Sequence, residues 1–166
     1  MDQVLETVQM EIKGLMLDPS SKTPIVLLHD PSGDTFLPIW IGVFEANAIA
    51  LRIEGVEPPR PMTHDLLYTS LLLMGAKVQR VTISELRENT FYAVISLHGP
   101  GGEHVIDSRP SDAIALALRA DAPIFAHRSV LESAQAADFS NKLSHDEKLK
   151  KWLEEAQDDD FGEYEM

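Results

Sequence analysis

Between Val4 and Leu17 apolar and polar residues alternate, with Val8, Met10 and Ile12 set against Thr7, Gln9, Glu11 and Lys13. A period of two marks a half-buried strand. Asp18–Pro24 reads as a turn and Ile25–Leu28 as a short β-branched and leucine run. The segment Asp30-Pro31-Ser32-Gly33-Asp34 is a strong turn signal, and Thr35–Ile41 returns from it. Ile25–Ile41 is therefore expected as a hairpin. Gly42 then opens Val43–Glu54, where Phe44, Ala48, Ile49, Leu51 and Ile53 fall at helical spacing.

Glu57–Pro61 carries three prolines and is expected as an irregular crossing. Thr63 is placed to cap a helix running to about Met74, stopped by Gly75. Lys77–Leu86 and Phe91–His98 are rich in strand formers and are joined across Glu88-Asn89 as a second hairpin. Gly99–Gly102 turns into a strand at Glu103–Asp107, and Ser108–Arg119 forms a junction and an apolar helix. Ala122–Ala126 is expected as a short edge strand and Val130–Ala136 as a short helix. The order, roughly βββ-αα-βββ-α, indicates an α+β fold with helices packed on a mostly antiparallel or mixed β-sheet. The two three-strand blocks hint at a structural repeat.

Composition adds boundaries to this picture. At 166 residues with 44% hydrophobic content, the chain fits one domain with an appendage. Asp138–Met166 holds 10 acidic and 4 basic residues. Residues 1–137 are expected as the α+β domain, and residues 138–166 as an acidic C-terminal extension. That extension is expected to carry one short helix, with Ser144 and Glu147 as a capping box and a stripe of Leu149, Trp152 and Leu153. The formal net charge of −13 opposes binding of long nucleic acid by electrostatics alone. The chain has no cysteine, which removes disulfides, zinc–thiolate sites and thiol catalysis. No apolar stretch of about 18 residues suggests a membrane span, and the first residues do not read as a signal peptide. A cytoplasmic setting without membrane contact is the expectation.

Three polar helix starts carry the candidate chemistry. Asp107–Asp112, reading DSRPSD, places two carboxylates, Arg109, Ser108 and Ser111 where a strand meets a helix. Such a start offers free N–H groups and a positive dipole end to an anion, and its carboxylates suit a divalent ion. The same residues also suit plain capping by Ser108 or Ser111, with Pro110 in the first turn. Arg60-Pro61-Met62-Thr63-His64-Asp65 places a potential proton carrier or metal ligand in the first turn of the second helix. Glu45 and Asn47 occupy the start of the first, after Trp40, which reads as a core or interface anchor. Phosphate-loop, HExxH and GxSxG motifs are absent from the sequence.

LPIWIG followed by EANAIA (Leu37–Ala50), PPRPMTHDLL (Pro58–Leu67), LRENTFYAVI (Leu86–Ile95) and DSRPSDAIALALRADAPIF (Asp107–Phe125) resemble the bifunctional nuclease family, over roughly residues 4–135. The resemblance implies an α+β domain that self-associates and cleaves RNA and DNA. Arg60, Thr63, His64, Asp65, Arg109, Pro110, Ser111, Asp112 and Glu45 match the family pattern; Val43-Phe44 and Ser108 depart from it.

The resulting expectation is metal-assisted hydrolysis of phosphodiester bonds in short or single-stranded nucleic acid. Glu45, Asp65 and Asp112 would bind Mg²⁺ or Mn²⁺. His64 would move a proton, with Asp65, Asp112 and Arg109 completing the catalytic set. Arg60, Arg109 and Ser111 would hold substrate. The rival expectation is a non-catalytic homo-oligomer, most simply a dimer, whose polar helix starts are structural or grip a small anion. A shared ion requires the three carboxylates to converge within about 10 Å, given metal–oxygen bonds of about 2–2.6 Å.

Overall fold

The computed structural model describes residues 6–140. Among them lie strands β1 (Thr7–Leu17), β2 (Pro24–His29) and β3 (Phe36–Trp40), then helices α1 (Val43–Ile53) and α2 (Thr63–Leu73). Strands β4 (Lys77–Arg87), β5 (Thr90–Gly99) and β6 (Gly102–Ser108) follow, then helix α3 (Pro110–Ala120), strand β7 (Ile124–His127) and helix α4 (Arg128–Ser140). The expected Ser144 helix and acidic end lie outside the described residues. The class is α+β, and the order runs βββ-αα-βββ-α through α3 before adding β7 and α4.

All seven strands join one mixed sheet in the order β3-β2-β1-β7-β4-β5-β6. Two antiparallel meanders, β1–β3 and β4–β6, flank β7. Strand β1 is long enough to serve two neighbours. Its first half pairs with β7 (Thr7↔His127 to Met10↔Ile124) and its second half with β2 (Glu11↔His29 to Leu17↔Pro24), with a register shift between Ile12 and Gly14 inside that ladder.

The expected edge strand at Ala122–Ala126 is corrected by this topology. β7 lies in the middle of the sheet, antiparallel to β1 and parallel to β4. Helix α3 packs on β4 and β5 and carries the chain over them to the far side of β4. Four residues with Ile124 and Ala126 buried read alike at an edge or at a centre, and only the crossover decides between them.

Helix α3 is the hub of the fold. Ala113, Ile114, Ala115, Leu116 and Ala117 are all buried, so the helix is covered on more than one side. The sheet lies against it, and α1 and α2 also pack on it. Small residues suit this packing: Ala46, Ala48 and Ala50 of α1 and Ala113, Ala115 and Ala117 of α3 are all buried. Proline suits the first helical turn, and Asp121 ends the helix in a left-handed conformation (φ 51°). Gly75 (φ +76°) ends the α2 region in a conformation that favours glycine. No helix of the described residues is long and apolar enough to cross a membrane.

Candidate functional site

The first turns of α1, α2 and α3 meet. At α1 the N-cap is Gly42, and Glu45 folds back so closely that a Cβ on Gly42 would collide with its carboxylate. A side chain at this position would displace the Glu45 carboxylate, while the backbone there (φ −73°) admits any residue. At α2 the N-cap is Met62, not Thr63, which is the first helical residue. Asp65 supplies the cap from inside the helix: the Met62 N–H donates to Asp65 Oδ2 at 2.8 Å. At α3 the N-cap is Arg109 with no side-chain cap bond. The expected capping by Ser108 or Ser111 is therefore corrected; the Ser108 hydroxyl donates to the Arg109 carbonyl at 2.9 Å instead.

A continuous chain of contacts links the three starts. Arg109 donates through Nη2 to Glu45 Oε1 at 2.7 Å and through Nε to Asp112 Oδ2 at 2.7 Å. The other oxygen of Asp112 lies 2.8 Å from Nε2 of the buried His64. Burial pushes the Asp112 carboxyl up, but hydrogen bonds from Arg109 and then His64 outweigh it and hold the group below the ordinary aspartate range. The bonds to Asp112 and Glu45 raise the Arg109 guanidinium further above its usual value. An ionised Asp112 accepts a hydrogen bond from His64 Nε2–H, and in that tautomer the imidazole lone pair is on Nδ1. Among the described residues no hydrogen bond to Nδ1 is found, and the His64 side chain is 11% exposed.

Asp65 turns elsewhere. Its Oδ1 accepts from Arg119 Nε at 2.6 Å, two turns further along α3 than Asp112. Arg119 also donates to the carbonyls of Ala115 (2.9 Å) and Ala48 (3.2 Å), so it ties α1, α2 and α3 together from within. Burial raises Asp65, but the Met62 N–H and then Arg119 outweigh it and leave the group lowered. No role follows for Arg119 from sequence periodicity; its only signal is a cation in the last turn of an otherwise apolar helix.

The structure thus brings together Glu45, His64, Arg109 and Asp112, and directs Asp65 to a second cluster. Ser111 is 5% exposed beside the first cluster. Arg60 is exposed ahead of α2, and Asp107 is exposed on β6; neither forms an ion pair among the described residues. Arg109 stands between Glu45 and Asp112, where a shared cation would sit. Among the described residues no three His, Asp or Glu side chains form a group that could hold a metal ion. As folded, this donor set does not fit the expected divalent ion.

The bifunctional nuclease domain family matches residues 26–138. An uncharacterised protein of Mycobacterium tuberculosis is 37% identical over 162 residues, covering 92% of this chain and 97% of that protein. Bifunctional nuclease 1 of Oryza sativa subsp. japonica is 28% identical over 116 residues, 68% of this chain and 35% of the plant protein. Bifunctional nuclease 2 of the same plant is 29% identical over 134 residues, 78% of this chain and 41% of the plant protein. The chain therefore spans well under half of each of these plant nucleases.

Proposed function

The chain belongs to the bifunctional nuclease domain family, and from that premise we propose that it hydrolyses phosphodiester bonds of short or single-stranded RNA or DNA where the first turns of α1, α2 and α3 meet. One observation carries the reading: Asp112 bonds His64 through one oxygen and Arg109 through the other, and no hydrogen bond occupies the His64 Nδ1 among the described residues. A base and a phosphate-binding cation are thereby fixed by a single carboxylate. His64 Nδ1 takes a proton as water attacks phosphorus; the bond to the leaving oxygen breaks, and that oxygen takes a proton from solvent. Arg109, with a side chain 64% exposed, meets the non-bridging oxygens with the N–H groups that Glu45 and Asp112 do not use. Three helix N-termini add partial positive charge to a cluster whose two carboxylates outnumber its one arginine. Arg60 contributes attraction on the approach to α2. A Mg²⁺ or Mn²⁺ ion would enter only by displacing Arg109 from Glu45 and Asp112, and no step above uses one.

The test is cleavage of a labelled single-stranded oligonucleotide by the purified full chain, with and without EDTA. Replacing His64→Ala is expected to lower the rate roughly 10²-fold or more. Equal rates in the wild type and a His64→Ala/Asp112→Asn double variant would assign the activity to a contaminant and remove the reading. Loss of cleavage in EDTA would show that a metal displaces Arg109.

A second reading, a self-associating module, is favoured by the surface of α2. Only His64 of that helix is buried; Leu66, Leu67 and Leu72 are exposed, Leu73 is 84% exposed, and the C-cap Met74 is exposed beyond it. Phe44 of α1 is exposed as well. So much apolar surface on one helix suits contact with a second copy. A monomer at every concentration in sedimentation would remove this reading.

A further inference from the structure

A cleft of about 430 Å³ opens between the end of β3, the β4–β5 turn and the start of α3. Trp40, Asn89, Thr90, Phe91, Arg109 and Ser111 line it. Its volume is that of a small-molecule site, and its two ends differ in chemistry. One end is aromatic. Trp40 is 47% exposed, yet its ring is not loose, because the indole N–H donates to Asp18 Oδ2 at 2.9 Å. A large apolar face is thus held open to solvent in a fixed orientation. The other end is built for an anion. Arg109 lies there, α3 begins there without a side-chain cap, and Ser111, 5% exposed as a residue, lines the cleft with no side-chain hydrogen bond among the described residues. The rim is a tight hairpin: Glu88 and Asn89 both have positive φ (51° and 59°), as a two-residue type I′ turn requires. Asn89 is exposed, with both its amide donor and its acceptor free of protein partners among the described residues.

We propose that this cleft is a nucleotide subsite: one base of a single-stranded nucleic acid stacks on Trp40, and its phosphate sits against Arg109, Ser111 and the first N–H groups of α3. The proposal rests on the nucleic-acid reading above and deepens it by placing the base. Arg109 lines the cleft and bonds Asp112, the carboxylate that His64 also bonds, so a phosphate held by Arg109 beside the stacked base sits one carboxylate away from the histidine. A paired base has no open face to offer, so the cleft selects unpaired strands. Asn89 meets the base edge, where an amide pairs with donors and acceptors of every base and sets a preference rather than a strict sequence.

Only two tryptophans occur in the chain, so a Trp152→Phe background leaves Trp40 as the sole indole. That full-length protein is titrated with a single-stranded hexanucleotide and with an abasic deoxyribose-phosphate oligomer of equal length. Saturable quenching of Trp40 by the hexanucleotide is expected, with the abasic oligomer bound about tenfold more weakly and without quenching. Trp40→Leu is expected to weaken hexanucleotide binding by a similar factor in an anisotropy assay; if that variant fails to fold, the emission of the intact indole decides. Binding or cleavage of the hexanucleotide with Trp40 emission unchanged overturns the subsite, as does the absence of any binding. Quenching without cleavage upholds the subsite and overturns hydrolysis at His64, so the two failures are distinguishable.

Discussion

Helix α3 carries an arginine paired with carboxylate at each end, and the two ends differ in burial. Arg119 has a side chain 3% exposed, and its bonds to Asp65, Ala48 and Ala115 are directed inward to three helices. Arg109 bridges Glu45 and Asp112 at the surface and keeps N–H groups to spare. The two pairs share one chemistry and have different consequences. A buried guanidinium must be fully satisfied by protein, which leaves it nothing to offer a ligand. An exposed one is held in place by its carboxylates and still presents donors to solvent. The C-terminal end of α3 is therefore a clamp, and the N-terminal end a site.

The sharpest way to break this contrast is at the buried end. Replacing Arg119→Ala leaves Asp65 without its cation and the Ala48 carbonyl without its donor. A loss on the order of 3 kcal/mol is expected in chemical denaturation. A double replacement, Arg119→Met with Asp65→Leu, is expected to recover much of it, since no charge is then left unpaired. A loss under about 1 kcal/mol for Arg119→Ala would put the buried pair in the class of surface ion pairs and erase the distinction.

Acid gives a smaller effect. Asp65 and Asp112 are lowered in the folded chain: burial opposes this, but the Met62 N–H and Arg119 prevail at Asp65, and Arg109 and His64 at Asp112. The unfolded chain binds protons first as pH falls, so the stability these groups contribute is complete above about pH 4. It is lost as pH drops through their lowered values. Asp65→Asn is expected to flatten that acid loss in denaturation curves measured from pH 7 downward. A slope identical to that of the wild type would mean that Arg119 does not hold Asp65 ionised.

Much of this arrangement is legible in sequence, and the exception is instructive. Helix starts at Glu45, His64-Asp65 and Asp112 follow from apolar spacing and turn residues, and all three first turns do meet. The grouping of charges does not follow. His64 and Asp65 are neighbours, yet consecutive helical residues project about 100° apart. One side chain reaches the start of α3 and the other its end. Which carboxylate finds which arginine depends on how α2 lies across α3, a tertiary fact with no local signature. The same holds for β7, whose central place is set by the α3 crossover, and for Arg119, whose position in an apolar helix signals burial without naming a partner.

The last test is at the exposed end, where the expected change in stability is the smallest. Arg109→Ala removes two ion pairs, but both involve a solvated guanidinium, and surface pairs contribute about 0–1 kcal/mol each. Glu45 and Asp112 would then face each other without the cation, which adds repulsion and makes protonation of Asp112 easier. A loss near 1 kcal/mol is expected, against about three times that for Arg119→Ala. Cleavage of a single-stranded oligonucleotide should fall steeply in the same folded protein, because the phosphate loses its cation and Asp112 loses the partner that keeps it ionised beside His64. A stability loss above about 2 kcal/mol would make Arg109 a second clamp. A folded, fully active Arg109→Ala variant would leave the N-terminal end of α3 with no chemistry that the C-terminal end lacks.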